Sequence, residues 1–538
     1  MKEGKRVQAE LILRNGVIYP RAARRQAVSA MASSHGRVLA VGDDEEVMVW
    51  RGPETQVVDL AGKVVLPGFI DSHLHLLSLG EALSRLDLRE ITSITALKEA
   101  VGKRAKGAEG DWILGRGWEQ GQFVEKRYPV RADLDEAAPG CPVFLRRACG
   151  HLAVASSRAL TLAQVDADTP DPPGGVIDRD QRGEPTGVLR ETAMALVDGV
   201  VPAASPDHMV QSLREGARAA LAAGICGVHS NDGFGGSWES GWQLYRRALE
   251  PLPFRVYWDV PISHLDEVLV SPLRTGDGDG RLRLGAMKIF IDGSLGGSTA
   301  LLSEPYHDEP TNRGVMIPDA GELKEQVLRA HTGGMQVAIH AIGDRAVELA
   351  LDAIAHAQEA VPYGRRHRII HCQIMRPELF KRFRELGVVA DIQPKFITTD
   401  MRWTERRIGP ERMRSSYAWK TFLQHDVVLS GGSDAPVEPL FPWWGIYAAV
   451  TRKDLDQNPA GGWLPEQALS VEEAMEAFTV GGAYAAGQED VTGTLTPGKL
   501  ADAVVLDADP FSIPSIRLKD ITVLMTLVDG QVVFTADA

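Results

Sequence analysis

The pattern of apolar and polar positions divides the chain into two strand-rich ends and a central part in which strands alternate with helices. Residues 10–66 carry short apolar runs separated by turns such as Asn15–Gly16, and the C-terminal segment repeats this pattern around Asp529–Gly530. Because each end alone has too few strands to be stable, we expect them to pair into one small β-sandwich. The predicted domains are 1–65 and 488–538 for the sandwich and 66–487 for the central domain.

The central part has eight apolar runs with helical stretches between most of them, a pattern typical of βα units and a parallel sheet. This favours a (β/α)8 TIM barrel, of the α/β class, over an open doubly wound sheet, since no Gly-x-Gly-x-x-Gly follows an early strand. The predicted strands are Leu66–His75, Ile225–Asn231, Arg255–Val260, Arg283–Asp292, Met335–His340, Arg368–His371, Val388–Gln393 and Val427–Asp434. The predicted helices are 205–223, 321–333, 344–360, 376–386 and 411–424.

A long insertion, at about residues 80–222, separates the first and second predicted barrel strands. Within it, Trp112–Trp118 and Pro142–His151 are predicted strands, whereas Asp168–Pro173 and Asp178–Gly187 are predicted loops. An insertion after a barrel strand lies on the catalytic side of the barrel, so this unit is a candidate lid or substrate wall.

Composition excludes several classes of protein. The 538 residues are 44% hydrophobic, with a formal net charge of −14, which disfavours nucleic acid or an anionic membrane as the main partner. The four cysteines, Cys141, Cys149, Cys226 and Cys372, form no CxxC pair and no disulfide framework. The chain also shows no secretory signal and no long apolar span. We therefore expect a cytoplasmic protein with a small-molecule partner, and a homodimer is the candidate assembly.

Residues of the types that bind metal ions stand at or near the ends of the predicted barrel strands. His73 and His75 are one residue apart at the end of the first strand, so both imidazoles face the same side. A His-x-His pair alone is a weak signal, and the other residues taken singly have ordinary structural explanations. In a parallel barrel, however, all these strand ends meet at one mouth. The full set of predicted metal ligands is His73, His75, Lys288, His340, His371 and Asp434.

Imidazole and carboxylate ligands suit Zn²⁺, with Mn²⁺, Fe²⁺ or Co²⁺ as alternatives. We assign one ion to His73, His75 and Asp434, and a second ion to His340 and His371. One ion or two both remain open at this point.

Lys288 would stand between the two groups of ligands. A lysine ammonium has no lone pair and is repelled by cations, so the site drives it to the neutral amine. A neutral amine can capture carbon dioxide as a carbamate, which has two oxygens and could bridge two metal ions. The alternative is an unmodified lysine beside a single zinc ion.

With these motifs, the chain resembles the amidohydrolase superfamily and, within it, the N-substituted formamide deformylase-like (YtcJ-like) branch. The resemblance implies a metal-bearing barrel with a sandwich built from both termini, and a carboxylated lysine at position 288 in binuclear members. The stretches that carry the resemblance are Leu66–His75, Lys288–Leu295, His340–Arg345, His371–Gln373, Gly432–Pro436 and Gly493–Leu506.

The expected reaction is hydrolysis of a carbon–nitrogen bond, of an amide type such as N-formyl or N-acyl, by metal-bound hydroxide. Asp434 is the expected general base and acid, which takes the proton of the attacking water and passes it to the leaving nitrogen. His151 resembles a Gly-His element of the family's insertion. The predicted substrate contacts are Trp118, His151, Glu191 and Asp292, with Arg147, Arg190 and Trp403 as further candidates on mouth loops; packing or ion pairing is the alternative for each.

Two more residues have open roles. Asp71 shares a face with the histidine pair, so it either orients an imidazole or is a core carboxylate held by backbone groups. His229 ends the second strand, where a core or supporting role is expected. Cys372 should point away from the barrel interior and is not expected to be a nucleophile.

Two rivals to the amide hydrolase remain. Deaminases of this superfamily commonly carry Glu three residues after the fifth-strand histidine, where this chain has Gly343. An esterase on the same site is a variant of the same hypothesis. A non-catalytic scaffold of the same fold typically loses one or more ligands, and all six are present.

Overall fold

The computed structural model describes residues 7–22, 27–106, 110–148, 151–202, 204–362 and 366–536. The chain divides into two compact units, one comprising residues 1–79 and 216–538 and the other residues 80–215. Within the described ranges, no helix combines the length and the apolar composition that crossing a membrane requires.

The two ends of the chain form two sheets, as predicted. Strands Leu11–Arg14, Ala30–Ser34, Arg37–Gly42 and Gln56–Asp59 form one sheet of the described residues, followed in sequence by strand Val64–Pro67 of the other. In that second sheet, Val64–Pro67 pairs antiparallel with Ala503–Leu506 from the C-terminal end. Apolar side chains of both sheets pack into one core. The remaining strands of the second sheet are Val17–Ile18, Val523–Val528 and Gln531–Thr535.

The central domain is the predicted (β/α)8 barrel. Eight strands of the described chain follow one another in parallel, and backbone bonds join the end of the eighth to the end of the first: the amide of Asp434 donates to the carbonyl of His73 (2.7 Å). The eight strands are Phe69–Leu74, Ile225–Ser230, Arg255–Pro261, Leu282–Phe290, Val337–Ala341, Arg368–His371, Val389–Ile392 and Leu429–Gly431.

One predicted strand, Leu66–His75, is wrong in extent because it is two strands. Val64–Pro67 belongs to the sandwich and Phe69–Leu74 to the barrel, with Gly68 between them. A Cβ atom at Gly68 would lie 2.2 Å from Sγ of Cys226 on the second barrel strand, so only glycine allows the chain to pass this close to that strand. The predicted boundary at residue 66 therefore cuts through a sandwich strand.

Helices separate the barrel strands and close the domain. The predicted helix 411–424 is two helices, Thr404–Met413 and Trp419–Gln424, and the first contains non-helical Gly409 before Pro410. The helices 205–223, 321–333, 344–360 and 376–386 are confirmed within a residue at each end. The described α-helices outside the inserted unit are Asp44–Met48, which follows strand Arg37–Gly42, and those of the barrel: Leu76–Ser84, Pro206–Ala222, Trp238–Leu249, Leu265–Val270, Ala320–Thr332, Asp344–Ala360, Pro377–Leu386, Ile397–Asp400, Thr404–Met413, Trp419–Gln424, Pro442–Thr451, Val471–Glu476 and Gly482–Ala485.

The inserted unit, residues 80–215, contains a sheet with apolar residues on both faces. Val143 and Leu145 pack into one cluster and Phe144 into another, as alternation along a strand requires. Its described strands, in sheet order, are Gly175–Arg179, Pro185–Glu191, Leu152–Ala155, Val143–Arg147, Ile113–Trp118 and Leu86–Asp87. Its helices are Ile94–Ala105, Arg131–Ala137, Ser157–Leu162 and Met194–Asp198.

Two predictions for this unit need correction. The predicted loop Asp178–Gly187 instead contains the turn of an antiparallel hairpin and the adjoining ends of its two strands. Ile177 on the first strand pairs with Leu189 on the second, and both residues are buried. The predicted strand Pro142–His151 ends at Arg147, and a separate antiparallel strand begins at Leu152. Cys149 and Gly150, inside that predicted strand, lie outside the described residues.

A buried ion cluster fills part of the barrel interior. Arg368, on the sixth strand, contacts side chains or backbone from four other strands. Its guanidinium pairs with the carboxylates of Asp259 and Asp391, and all three side chains are fully buried. Burial raises the pKa of Asp391 to about 7, although Arg368 opposes the shift. Burying these charges is tolerable only because each carboxylate has this cation beside it.

Replacing Arg368 with methionine should destabilise the protein strongly, because both carboxylates would lose their buried partner. We expect the free energy of unfolding to fall by about 3–5 kcal/mol, measured by urea denaturation. Arg382→Met is the matched control: Arg382 pairs with Asp352 between partly exposed side chains, so about 1 kcal/mol or less is expected. Equal losses in the two variants would contradict the role given to the cluster.

Candidate metal centre

His73, His75 and Asp434 converge at the mouth of the barrel. Nε2 of His73 lies 3.4 Å and Nε2 of His75 3.3 Å from Oδ1 of Asp434. One ligand atom from each of the three side chains lies within 4.8 Å of the other two, and His73 and Asp434 are buried. Three candidate ligands separated by some 360 residues of sequence therefore form one cluster.

His340 and His371 belong to the same cluster. Their ring centroids are 4.5 Å apart, and the His371 ring lies 5.3 Å from that of His73. His75 is 5.6 Å from His73 by the same measure. The four imidazoles thus line one small region of the mouth.

Several buried polar atoms of this cluster lack a hydrogen-bond partner among the described residues. They are Nζ of Lys288, Nδ1 of His371 and Oδ1 of Asp434. Buried polar groups without partners are costly and rare in folded proteins. Lone pairs of imidazole nitrogen and carboxylate oxygen that face one another repel unless a cation lies between them. The donor set therefore fits one or two divalent cations such as Zn²⁺.

Burial keeps most of these histidines neutral, which is the form that binds metal. It lowers the pKa of His73 and His371 well below the usual range, and that of His340 to about 3. For His75, burial also acts to lower the pKa, but the neighbouring carboxylate of Asp434 outweighs it and raises the value. A cation among these residues would take the place of that proton.

Lys288 is buried beside the histidines. Burial lowers the pKa of its amine to about 8, although the charges of Asp434 and Asp259 oppose the shift. Its Nζ lies 4.6 Å from the ring centroid of Phe290, two residues along the same strand. Burial therefore makes the neutral amine more accessible than it is for a lysine in water.

Asp292, a predicted substrate contact, is buried and bound to backbone. Its carboxylate accepts hydrogen bonds from the amides of Leu301, Ile342 and Gly343, and burial raises its pKa to about 7. Oδ1 also lies 3.5 Å from Nε2 of His340. These contacts order the loops after the fourth and fifth strands around His340.

The orientation of the His340 ring follows from its contact with Gly293. Nε2 lies 2.9 Å from the carbonyl oxygen of Gly293, which can only accept a hydrogen bond. Nε2 therefore carries the proton, and the lone pair of the neutral ring is at Nδ1.

Asp71 has the second of its two predicted roles. Its buried carboxylate accepts hydrogen bonds from the backbone amides of His73 and Ser433, and burial raises its pKa to about 7. Asp71 thus connects the end of the first strand to the loop that carries Asp434, without touching an imidazole nitrogen.

The inward position of His371 depends on an unusual backbone conformation. Arg368 points into the barrel, so regular alternation would point His371 outward. The φ angles of His371 (+77°) and Cys372 (+48°) break this alternation. Cys372 is buried, its thiol donates to the carbonyl of Ile369, and burial raises its pKa, which agrees with the expectation that it is not a nucleophile.

Sequence reasoning missed three residues of the mouth. Asn231 contacts both His73 and His75, whereas His229, two residues earlier, lies in the interior with Nδ1 2.6 Å from Arg368. Gln393, at the end of the seventh strand, is buried, and its amide oxygen has no hydrogen-bond partner in the described part of the chain. Phe290 is 45% exposed beside the cluster. Their signal was position, since each stands at or just after a barrel strand end.

The other predicted substrate contacts lie in the inserted unit. Trp118 is fully buried in the core of that unit, and its indole donates to the carbonyl of Leu145. His151 and Glu191 are exposed and pair with each other, Nδ1 to Oε2, at 2.9 Å. Their contact with a substrate stays a prediction.

The remaining candidates have partners within their own units. Arg147 pairs with Glu119, and Arg190 pairs with Asp178. Trp403 packs, partly buried, against an apolar cluster beside the barrel mouth.

The sequence and the fold both match known proteins. Residues 56–534 match the amidohydrolase family. The YtcJ protein of Bacillus subtilis (strain 168) is 36% identical over 97% of this chain and 99% of its own length, and the N-substituted formamide deformylase of Arthrobacter pascens is 30% identical over 97% of both. The crystal structure of an uncharacterized metal-dependent hydrolase from Pyrococcus furiosus is 34% identical, with a TM-score of 0.76 over 93% of this chain and 100% of that one. These matches span the sandwich, the barrel and the site, and the chain therefore belongs to the amidohydrolase family.

Proposed function

We propose that this protein hydrolyses an amide-type carbon–nitrogen bond, N-formyl or N-acyl, in a small molecule, with Zn²⁺ at the barrel mouth. The observation that carries the proposal is the convergence of four imidazoles, a buried lysine amine and the unpartnered Oδ1 of Asp434. The name of the Arthrobacter pascens relative, a formamide deformylase, supports the same bond type.

The ligands would divide as the sequence predicts. His73, His75 and Asp434 would hold one cation, and His340 and His371 a second, with Mn²⁺, Fe²⁺ or Co²⁺ as alternatives to zinc. When bound, such cations lower the pKa of water and polarise a substrate carbonyl. The protein's own task is then to position the substrate and to move one proton.

Asp434 is the residue proposed to move that proton. Its Oδ1 accepts no hydrogen bond from the described protein groups and faces the proposed cation position between His73 and His75, which leaves the second carboxylate oxygen to take a proton from the attacking water. The same carboxyl group would then give the proton to the leaving nitrogen. An amide nitrogen leaves readily only as a neutral amine, so this second transfer matters most for amides.

Phe290 is proposed to contact the substrate. It is 45% exposed, and its ring lies 5.1 Å from that of His340. Apolar side chains that remain exposed at a concave site commonly bind apolar parts of ligands. An apolar substituent of the substrate would pack on this ring.

A deaminase is disfavoured by the backbone at Gly343. A Cβ atom there would lie 2.0 Å from the carbonyl oxygen of Leu301. The position can therefore hold no glutamate, which is the residue expected there in a deaminase.

The predicted homodimer stays a prediction.

Lys288 is proposed to be carboxylated when two cations bind. Its neutral amine attacks carbon dioxide, forms a carbon–nitrogen bond and releases one proton, which leaves a carbamate with a single negative charge. The buried, unpartnered Nζ supports this modification, since a carbamate would supply two oxygens where the amine now has no partner.

Replacing His73 with alanine should abolish both tight zinc binding and hydrolysis. Metal content measured by mass spectrometry should fall, and turnover of a panel of N-formyl and N-acyl compounds should drop to background. His356→Ala, which removes an exposed histidine of helix Asp344–Ala360, is the control and should retain both. Activity retained in the His73 variant would refute the site.

Replacing Asp434 with asparagine should reduce amide hydrolysis far more than ester hydrolysis. An activated aryl ester needs no proton on its leaving group, whereas an amide does. We expect kcat for the amide to fall about 10²–10⁴-fold, with a smaller loss for the ester at equal metal content. Equal losses on the two substrates would contradict proton delivery by Asp434.

Bicarbonate should control how much zinc the apoprotein takes up. In buffer free of carbon dioxide we expect at most one zinc ion per chain, and two after bicarbonate is added. Lys288→Met, which cannot form a carbamate, should bind no second ion under either condition. Two ions in carbon-dioxide-free buffer would favour an unmodified lysine.

A further inference from the structure

Asn231, at the end of the second barrel strand, contacts both histidines of the first strand. Its backbone carbonyl oxygen lies 2.8 Å from Nδ1 of His75, and its side-chain Nδ2 lies 2.8 Å from Nδ1 of His73. The residue is buried, with 8% of its surface exposed. Its side-chain oxygen, Oδ1, has no hydrogen-bond partner among the described residues.

For His75, the contact with Asn231 determines which nitrogen carries the proton. A carbonyl oxygen only accepts hydrogen bonds, so Nδ1 of His75 must be the donor. The lone pair of the neutral ring is then at Nε2, the atom that lies 3.3 Å from Oδ1 of Asp434. This is the arrangement that a cation between the two residues requires.

For His73, the side-chain amide admits two arrangements. If the amide nitrogen donates to Nδ1, the single proton of the neutral ring lies on Nε2, which then has no lone pair for a cation. A half-turn of the amide exchanges its nitrogen and oxygen without changing its shape. Oδ1 then accepts from Nδ1 and leaves the lone pair of His73 at Nε2, facing Asp434, while the amide nitrogen takes the position that Oδ1 occupied.

We propose that Asn231 is a positioning residue that keeps the lone pairs of both His73 and His75 at Nε2, through its backbone carbonyl and its side-chain amide oxygen. The inference rests on the proposed function, because it concerns the cation that these histidines hold. Asn231 itself touches neither the cation nor the substrate in this arrangement. It acts by fixing the tautomer and the angle of the two rings.

Two substitutions separate the two amide arrangements. Asn231→Asp places an oxygen that can only accept a hydrogen bond beside Nδ1 of His73, whereas Asn231→Leu removes the partner with little change in size. The zinc dissociation constant of each apoprotein is measured at pH 7 by competition with a chromophoric chelator. We expect Asn231→Leu to bind zinc about 10–100-fold more weakly than wild type, and Asn231→Asp to bind within a few-fold of wild type or more tightly.

Gln336→Met is the matched control. Gln336 is a buried amide just before the fifth strand, where its Nε2 donates to the carbonyls of Arg366 and Ala485, away from the metal ligands. Its loss should lower the thermal midpoint of the apoprotein and leave the zinc dissociation constant unchanged. A purely structural role of Asn231 would give this same result.

Two results would overturn the inference: wild-type affinity in Asn231→Leu, or weakened binding in Asn231→Asp. If the leucine variant does not fold, the aspartate variant alone tests the inference. If the wild-type amide nitrogen donates to Nδ1 of His73, the carboxylate of Asn231→Asp would repel the lone pair at Nδ1, and this variant would bind zinc more weakly. If the wild-type protein itself binds no zinc, the proposed function is wrong as well. If wild type binds zinc but the variants give either of these two results, only the role of Asn231 is wrong.

Discussion

The closure of the barrel between its first and eighth strands is the constraint on which the site depends. The amide of Asp434 donates to the carbonyl of His73, and the buried carboxylate of Asp71 accepts from Ser433 as well as from His73. These bonds bring two distant parts of the sequence to fixed positions at one rim. Because a buried carboxylate must satisfy its oxygens, Asp71 makes the junction costly to open. The distances from Asp434 to His73 and His75 follow from this junction.

Below the mouth, the barrel interior contains charge rather than apolar packing alone. Arg368 with Asp259 and Asp391 has an excess of one carboxylate when all are ionised, and these groups act on Lys288 in opposite directions. Burial outweighs them and lowers the pKa of the lysine amine. Near this cluster the amine of Lys288 can therefore lose its proton near pH 7, while Arg368 still pairs with the carboxylates of Asp259 and Asp391. An apolar core at the same level would lack this balance.

The fold and the convergence of the candidate metal ligands at one mouth could be predicted because both follow from periodicity: eight apolar runs, each ending in or near a polar residue, define a barrel and its mouth. The supporting contacts could not. Asp292 stands at a strand end like a ligand, yet its oxygens bind three backbone amides, and only the path of the loops decides this. His229 and Asn231 both stand near the end of the second strand. The structure places His229 in the interior against Arg368, and Asn231 at the rim against His73 and His75. The junction at Gly68 depends on a neighbour, Cys226, that is distant in sequence.

Backbone strain distinguishes His371 and Asp434 from the other candidate ligands. His371 and Asp434 have φ angles of +77° and +59°, a region that non-glycine residues rarely adopt and that costs of order 1–3 kcal/mol each. Such strain persists only where surrounding bonds fix the chain, and here the amide of Cys372 donates to Ala341 while that of Asp434 donates to His73. A relaxed strand end would point the His371 ring away from the barrel. Backbone hydrogen bonds of the scaffold, rather than contacts of the imidazole itself, therefore hold this ring inward.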